Sequence, residues 1–158
     1  MTRIANIELE LPTSQIISQE VEREREAAIL ELLNSNTFIL KDMDEGPYDL
    51  RLSLIESRFV FQVKSQKSGD EKMVILPMAA LKTIIKDYFL VCESYYEAIK
   101  SGNNSRLEAI DMGRRGLHDE ASEKLKDLLS DKAEVDFDTA RRLFTLICVA
   151  NMKSFTRV

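Results

Sequence analysis

Residues 46–76 read GPYDLRLSLIESRFVFQVKSQKSGDEKMVIL, and their period decides the fold. Leu50, Leu52 and Leu54 alternate with Arg51 and Ser53. Phe59, Phe61 and Val63 alternate with Gln62 and Lys64. A period of two is that of a strand with one buried face. Glu56-Ser57 supplies a tight turn between these runs. Residues 65–71, with Gly69-Asp70, supply another before the strand at 73–76. Short connections demand antiparallel neighbours. Thr37 to Leu40 reads as one more short strand ahead of the turn at 42–47. The expectation is a four-stranded meander whose Leu50/Leu52/Leu54 and Phe59/Phe61/Val63 face needs a cover.

Working outward, Ile7, Leu9 and Leu11 alternate with Glu8 and Glu10 as an N-terminal strand ended by Pro12. From 14 to 33 the period is helical, with Ile17, Val21, Ala28, Ile29, Leu32 and Leu33 on one face. The charge-dense run 20–26 reads as a solvated helix face. On the other side, Pro77 suits the first position of a helix. Leu81, Ile84, Ile85, Tyr88, Cys92, Tyr95 and Ile99 form a stripe expected to lie across the sheet, with Leu90 opposite it. Tyr88, Tyr95 and Tyr96 read as core residues whose hydroxyls reach the surface.

Gly102-Asn103-Asn104 breaks that helix. Ser105 and Glu108 have capping-box spacing for a helix to about Arg115, with Gly116 as its left-handed cap. A further helix is expected over 118–130, with Ala121, Leu125 and Leu128 on one side. Val135 and Phe137 alternate with acids as a last short strand. Asp138 then caps a helix whose segment 143–150 is apolar all round except Thr145, which predicts a central position. The whole reads as α+β: a small, mostly antiparallel meander packed on one face by helices, with a helical C-terminal half. The 158 residues read as a single domain, 1–158, whose tail from Lys153 frays.

The chain carries 27 acidic against 22 basic residues, a net charge of −5. It has no Lys/Arg tract, which argues against nucleic acid as a partner. No secretory signal is legible at the N-terminus, and the longest apolar run, 73–81, falls well short of the ~20 residues of a membrane span. Cys92 and Cys148 stand in apolar helical patterns and read as two buried free thiols. Together these features predict a cytoplasmic protein with no membrane association.

The chemistry is sparse. One histidine, His118, excludes metal sites that need two. No phosphate-binding glycine loop and no nucleophile elbow occur, so no cofactor and no catalytic residue are expected. His118 reads first as a locally bonded residue at a helix start, and second as a general acid or base. Two arginine doublets stand out. Arg114-Arg115 reads as the cationic close of one helix, with Asp111, Asp119 and Glu120 as partners. Arg141-Arg142 lies early in the last helix, where the dipole disfavours cations, so Asp138 and Asp136 are expected beside it. The sharper alternative has both doublets and His118 converging on one anion, aided by amides at the start of the 118–130 helix.

Four stretches, GPYDLRLSL (46–54), KDYFLVCESYYEAIK (86–100), AIDMGRRGLHDEAS (109–122) and VDFDTARRLFTLICV (135–149), together resemble an uncharacterised protein family of alphaproteobacteria. The resemblance implies a bacterial cytoplasmic protein and carries no activity, cofactor or catalytic residue with it. The missing chemistry favours a non-catalytic protein-interaction or regulatory module, acting through a protein partner or self-association. The alternative is an enzyme or sensor binding a small anionic metabolite near Arg114, Arg115, His118, Arg141 and Arg142. Those five lining one concave pocket would favour the second reading. Arginines spent on Asp136 and Asp138, without a pocket, would favour the first.

Overall fold

The computed structural model describes residues 2–11, 19–42 and 46–155, the last four by backbone alone. Strand β1 (Ile4–Glu10) is followed by helix α1 (Gln19–Asn34) and strand β2 (Phe38–Leu40). Strands β3 (Tyr48–Ile55), β4 (Arg58–Ser65) and β5 (Glu71–Pro77) come next. Helices α2 (Lys82–Ser101) and α3 (Asn104–Leu129), strand β6 (Ala133–Val135) and helix α4 (Phe137–Phe155) complete the order. The fold is α+β, with a mostly antiparallel sheet and a helical C-terminal half. Pro12, the expected helix start at Ser14, residues 43–45 of the turn and residues 156–158 of the tail lie outside the described residues.

The alternation at 50–63 does set the register. Leu50 faces Val63, Leu52 faces Phe61 and Leu54 faces Phe59 across an antiparallel ladder. Five of these six side chains are buried, and Leu54 is half-buried. Glu56 and Ser57 both take positive φ in the two-residue turn between β3 and β4, as a tight hairpin turn demands.

The meander is one strand shorter than expected. The sheet order is β1-β3-β4-β5, with β1 parallel to β3. β2 leaves the sheet and pairs antiparallel with β6, Phe38 opposite Val135. Its length explains the choice: three residues offer little ladder to a larger sheet, and Phe38 and Leu40 are buried all the same, Phe38 edge-on to Tyr48 of β3.

Pro77 closes β5, an edge strand where a missing N–H is tolerated, and a short 3-10 turn separates it from α2. The helices that meet the sheet are α1, against β1, and α4, against β1 and β3, whereas α2 packs chiefly on α3. Leu143, Phe144, Leu146, Ile147, Cys148, Val149 and Ala150 are all buried, so α4 is central as its apolar sequence predicts. Its N-terminal amide at Thr139 is capped by Asp136 Oδ1 at 3.1 Å, in place of the expected Asp138.

Helix α3 runs unbroken from Asn104 through Gly116 to Leu129, where two helices are expected. Gly102 does take a left-handed conformation, φ 72°, and caps α2. Asn103 then caps α3, its side chain accepting from the Arg106 amide at 3.1 Å, so the Ser105–Glu108 box is not the cap. Gly113 and Gly116 remain helical at an intrinsic cost of about 1 kcal/mol each. The burial of Ala121, Leu125 and Leu129 on the same helix, and the packing of α3 on α2 and α4, outweigh that cost.

Candidate functional site

A cavity of about 930 Å³ opens among α1, α2, α3 and α4. Arg114, Arg115, His118, Arg141 and Arg142 all line it. The five sequence candidates, from two helices, therefore meet around one space. Tyr88, Phe89, Cys92 and Tyr96 of α2 and Val149 of α4 supply an apolar, aromatic wall. Phe137 and Asp138 bring the N-terminus of α4, the positive end of its dipole, to the same space.

His118 sits in mid-helix on α3, since the helix start expected there does not exist, and neither do the amides it would have offered to an anion. Its imidazole packs edge-on between Tyr88 and Phe144, with centroids 5.3 and 5.2 Å away. Nε2 lies 3.0 Å from Thr145 Oγ1. Thr145 gives its one hydroxyl proton to the Arg141 carbonyl at 3.1 Å. Nε2 must therefore donate, which leaves Nδ1 as a bare acceptor, and Nδ1 is buried without a hydrogen-bond partner. Burial, reinforced by the Arg141 charge, pushes His118 down to about 4. The ring is neutral at pH 7.

The four arginines are unequally committed. Asp111 takes Arg114 at 2.6 and 3.1 Å and Arg115 at 2.9 Å. Arg114 also stacks over Tyr95, 4.9 Å from the ring centroid. That doublet is met within α2 and α3. Arg142 donates to Glu31 of α1 at 3.2 Å and to the backbone carbonyl of Asp138, also at 3.2 Å. Arg141 lies 3.5 Å from Asp119, an ion-pair distance, but the geometry makes no hydrogen bond and its Nε is buried without an acceptor. The expected partners, the carboxylates of Asp136 and Asp138, are thus replaced by Asp119 and Glu31. Helix α4 reaches outward to α3 and α1, and Asp136 is occupied as the cap.

The thiols are free, Cys148 buried and Cys92 half-buried. Burial raises Cys92 to about 11 and lifts Cys148 well above its ordinary value. Neither is a ready thiolate. Among the described residues no cluster of three or more His, Cys, Asp or Glu is placed to hold a metal ion, and no helix is long and apolar enough to cross a membrane.

Two further acids of the lining are Glu24, an exposed member of the charge-dense run 20–26, and Glu31 beyond that run. They stand at i−4 and i+3 from the buried Ala28, on the inward stripe of α1. Acids on an apolar stripe are the signal for them. Thr145, the one polar residue of its apolar segment, was the signal for the partner of His118.

The profile of an uncharacterised protein family, UPF0262, matches residues 1–153. A UPF0262 protein of Rhizobium etli is 55% identical over 130 residues, covering 82% of this chain and 83% of its own. Relatives from Phenylobacterium zucineum and Caulobacter vibrioides are 46% and 45% identical over 151 residues, with 96% of this chain and 94% of theirs covered. No solved structure matches the chain. With the profile spanning nearly every residue and the relatives aligned along most of their length, the chain belongs to the bacterial family UPF0262.

Proposed function

We propose that the four-helix pocket binds a small molecule bearing an anionic group, and that the protein works in the cytoplasm as a sensor or carrier of that ligand. The observation that carries this reading is the convergence of both arginine doublets and His118 on one cavity. Within it, Arg141 holds unspent hydrogen-bonding capacity. A buried donor without an acceptor costs about 1–3 kcal/mol, and a ligand oxygen would recover it. Binding is favoured over covalent catalysis because both thiols are held protonated and the imidazole is a weak base. A thermal-shift screen with aromatic carboxylates and phosphate monoesters tests it. A ligand at 100 times its Kd adds about 2.7 kcal/mol to stability, a shift of several degrees for a chain this long. The expected result is a saturable rise for one class of anion, lost in Arg141→Ala. No rise with any of them would sink the reading.

A protein-interaction role is the second reading, and one observation favours it. No residue of α3 from Asn104 to Leu117 is buried, and Ile99 and Met112 are exposed on the same helical hairpin. Among the described residues nothing buries Ile99 and Met112. Light scattering across a concentration series addresses self-association: a dimer lost in Met112→Glu supports it, and a strict monomer counts against it.

A further inference from the structure

We infer that the ligand of this pocket is a zwitterion of about tripeptide length, its anionic end at Arg141 and its cationic end at Glu24. The inference rests on the ligand-site reading above and adds the chemistry of the ligand's second end.

Charge balance is the first argument. Glu24, Glu31, Glu93, Asp119 and Asp138 line the pocket against four arginines, and Asp111 outside it already neutralises part of that positive charge. A bare anion would engage only the positive side of this lining. A ligand carrying both signs matches it.

The distribution of charge is the second. Glu31 meets Arg142 at one end of α1, beside Arg141 and the N-terminus of α4. Glu24 lies toward the other end, close enough to feel Arg114 and to act on Tyr96, Cys92 and Cys148. Among the described residues no cation forms an ion pair with Glu24, an exposed residue of the lining whose carboxyl is raised by the part of it that the protein desolvates. A ligand ammonium there would meet a carboxylate that lacks a close partner. Asp119, by contrast, is already engaged by Arg141.

Length is the third. Glu24 and Glu31 are seven residues apart on α1, about 10 Å along the axis. Arg141 and Cys148 are seven apart on α4, which runs antiparallel to α1 and gives the same span. An extended peptide covers about 3.3–3.6 Å per residue, so three residues bridge the two ends. The Tyr88 and Phe89 wall suits an apolar middle side chain.

Calorimetry on the full chain tests this with the peptide Ala-Phe-Ala, its N-acetyl form, its C-terminal amide, and 8-aminooctanoate. The expected result is binding of the free peptide, weakened at least tenfold by either cap. In Glu24→Gln the free and acetylated peptides should bind alike. In Arg141→Ala the acid and the amide should bind alike. Binding of 8-aminooctanoate as well would extend the class to long amino acids and support the same charge spacing. Equal binding of free and acetylated peptide by the unmodified protein would overturn the zwitterion and leave the anion site standing. So would failure of all four compounds while a simple aromatic carboxylate still binds. Failure of every compound, carboxylates and phosphates included, would remove both.

Discussion

The backbone N–H of Thr37 donates to Oγ1 of Thr139 at 3.0 Å, tying the entry to β2 to the first turn of α4 across 102 positions of sequence. Thr139 is fully buried. With β2 paired to β6 just before α4, this bond helps fix where the pocket's α4 wall begins.

Thr139→Val keeps the shape and removes the acceptor. The Thr37 amide is then left without this acceptor, at a cost of about 1–3 kcal/mol. Chemical denaturation should show a lower midpoint at unchanged slope. A midpoint equal to that of the unmodified protein would show the bond contributes nothing.

His118 gives stability a pH dependence whose sign follows from its depressed pKa. In the folded chain it titrates near 4, and unfolded at its ordinary 6.5. Between those values the unfolded state binds the extra proton, so stability rises with pH through the window. The contribution is complete above 6.5 and is lost as pH falls from 6.5 toward 4, by roughly 1–3 kcal/mol. His118→Gln keeps a donor for Thr145 and should flatten this dependence. An NMR titration placing the imidazole above 6 in the folded protein would contradict the geometry.

Much of this fold is legible in the sequence where a local period meets a buried face. The β3–β4 register and the centrality of α4 follow from alternation and from an all-apolar run. What is not legible is set by partners distant in sequence. The pairing of β2 with β6 depends on where residues 133–135 arrive. The continuity of α3 through Gly116 is decided by packing on α2 and α4, against the local preference. At the site, the residues singled out by type, both arginine doublets and His118, do line one cavity. Asp111 meets Arg114 and Arg115 at the spacing that names it, whereas Asp119 and Glu31, which meet Arg141 and Arg142, lie on other helices, beyond the reach of spacing rules.

The two thiols should differ in accessibility while both stay unreactive. Cys148 is buried and Cys92 half-buried, and both titrate above their ordinary range. At pH 8 a disulfide reagent should label Cys92 slowly and Cys148 more slowly still, with both fast in denaturant. Because both line the pocket, a bound ligand should slow Cys92 further. Fast native labelling of both would contradict the packing of α2 against α4.

Gly116→Ala separates the continuous α3 from a helix that ends at Gly116. In the structure Gly116 is helical, and a Cβ added there meets nothing within 4 Å. Alanine is favoured over glycine in a helix interior by about 0.8–1.0 kcal/mol, partly through the entropy of the unfolded chain. The substitution should therefore raise stability by about that amount, and Gly113→Ala, also in open space, should do the same. Were Gly116 a left-handed cap, alanine would instead cost about 1–2 kcal/mol. Gly102 provides the internal reference, because its φ of 72° is left-handed and alanine there should destabilise. Opposite signs at 116 and 102, read from denaturation midpoints, are the expected outcome. The same sign at both would mean that α3 breaks where the local sequence says it should, and the wall that carries Arg114 and His118 would have to be redrawn.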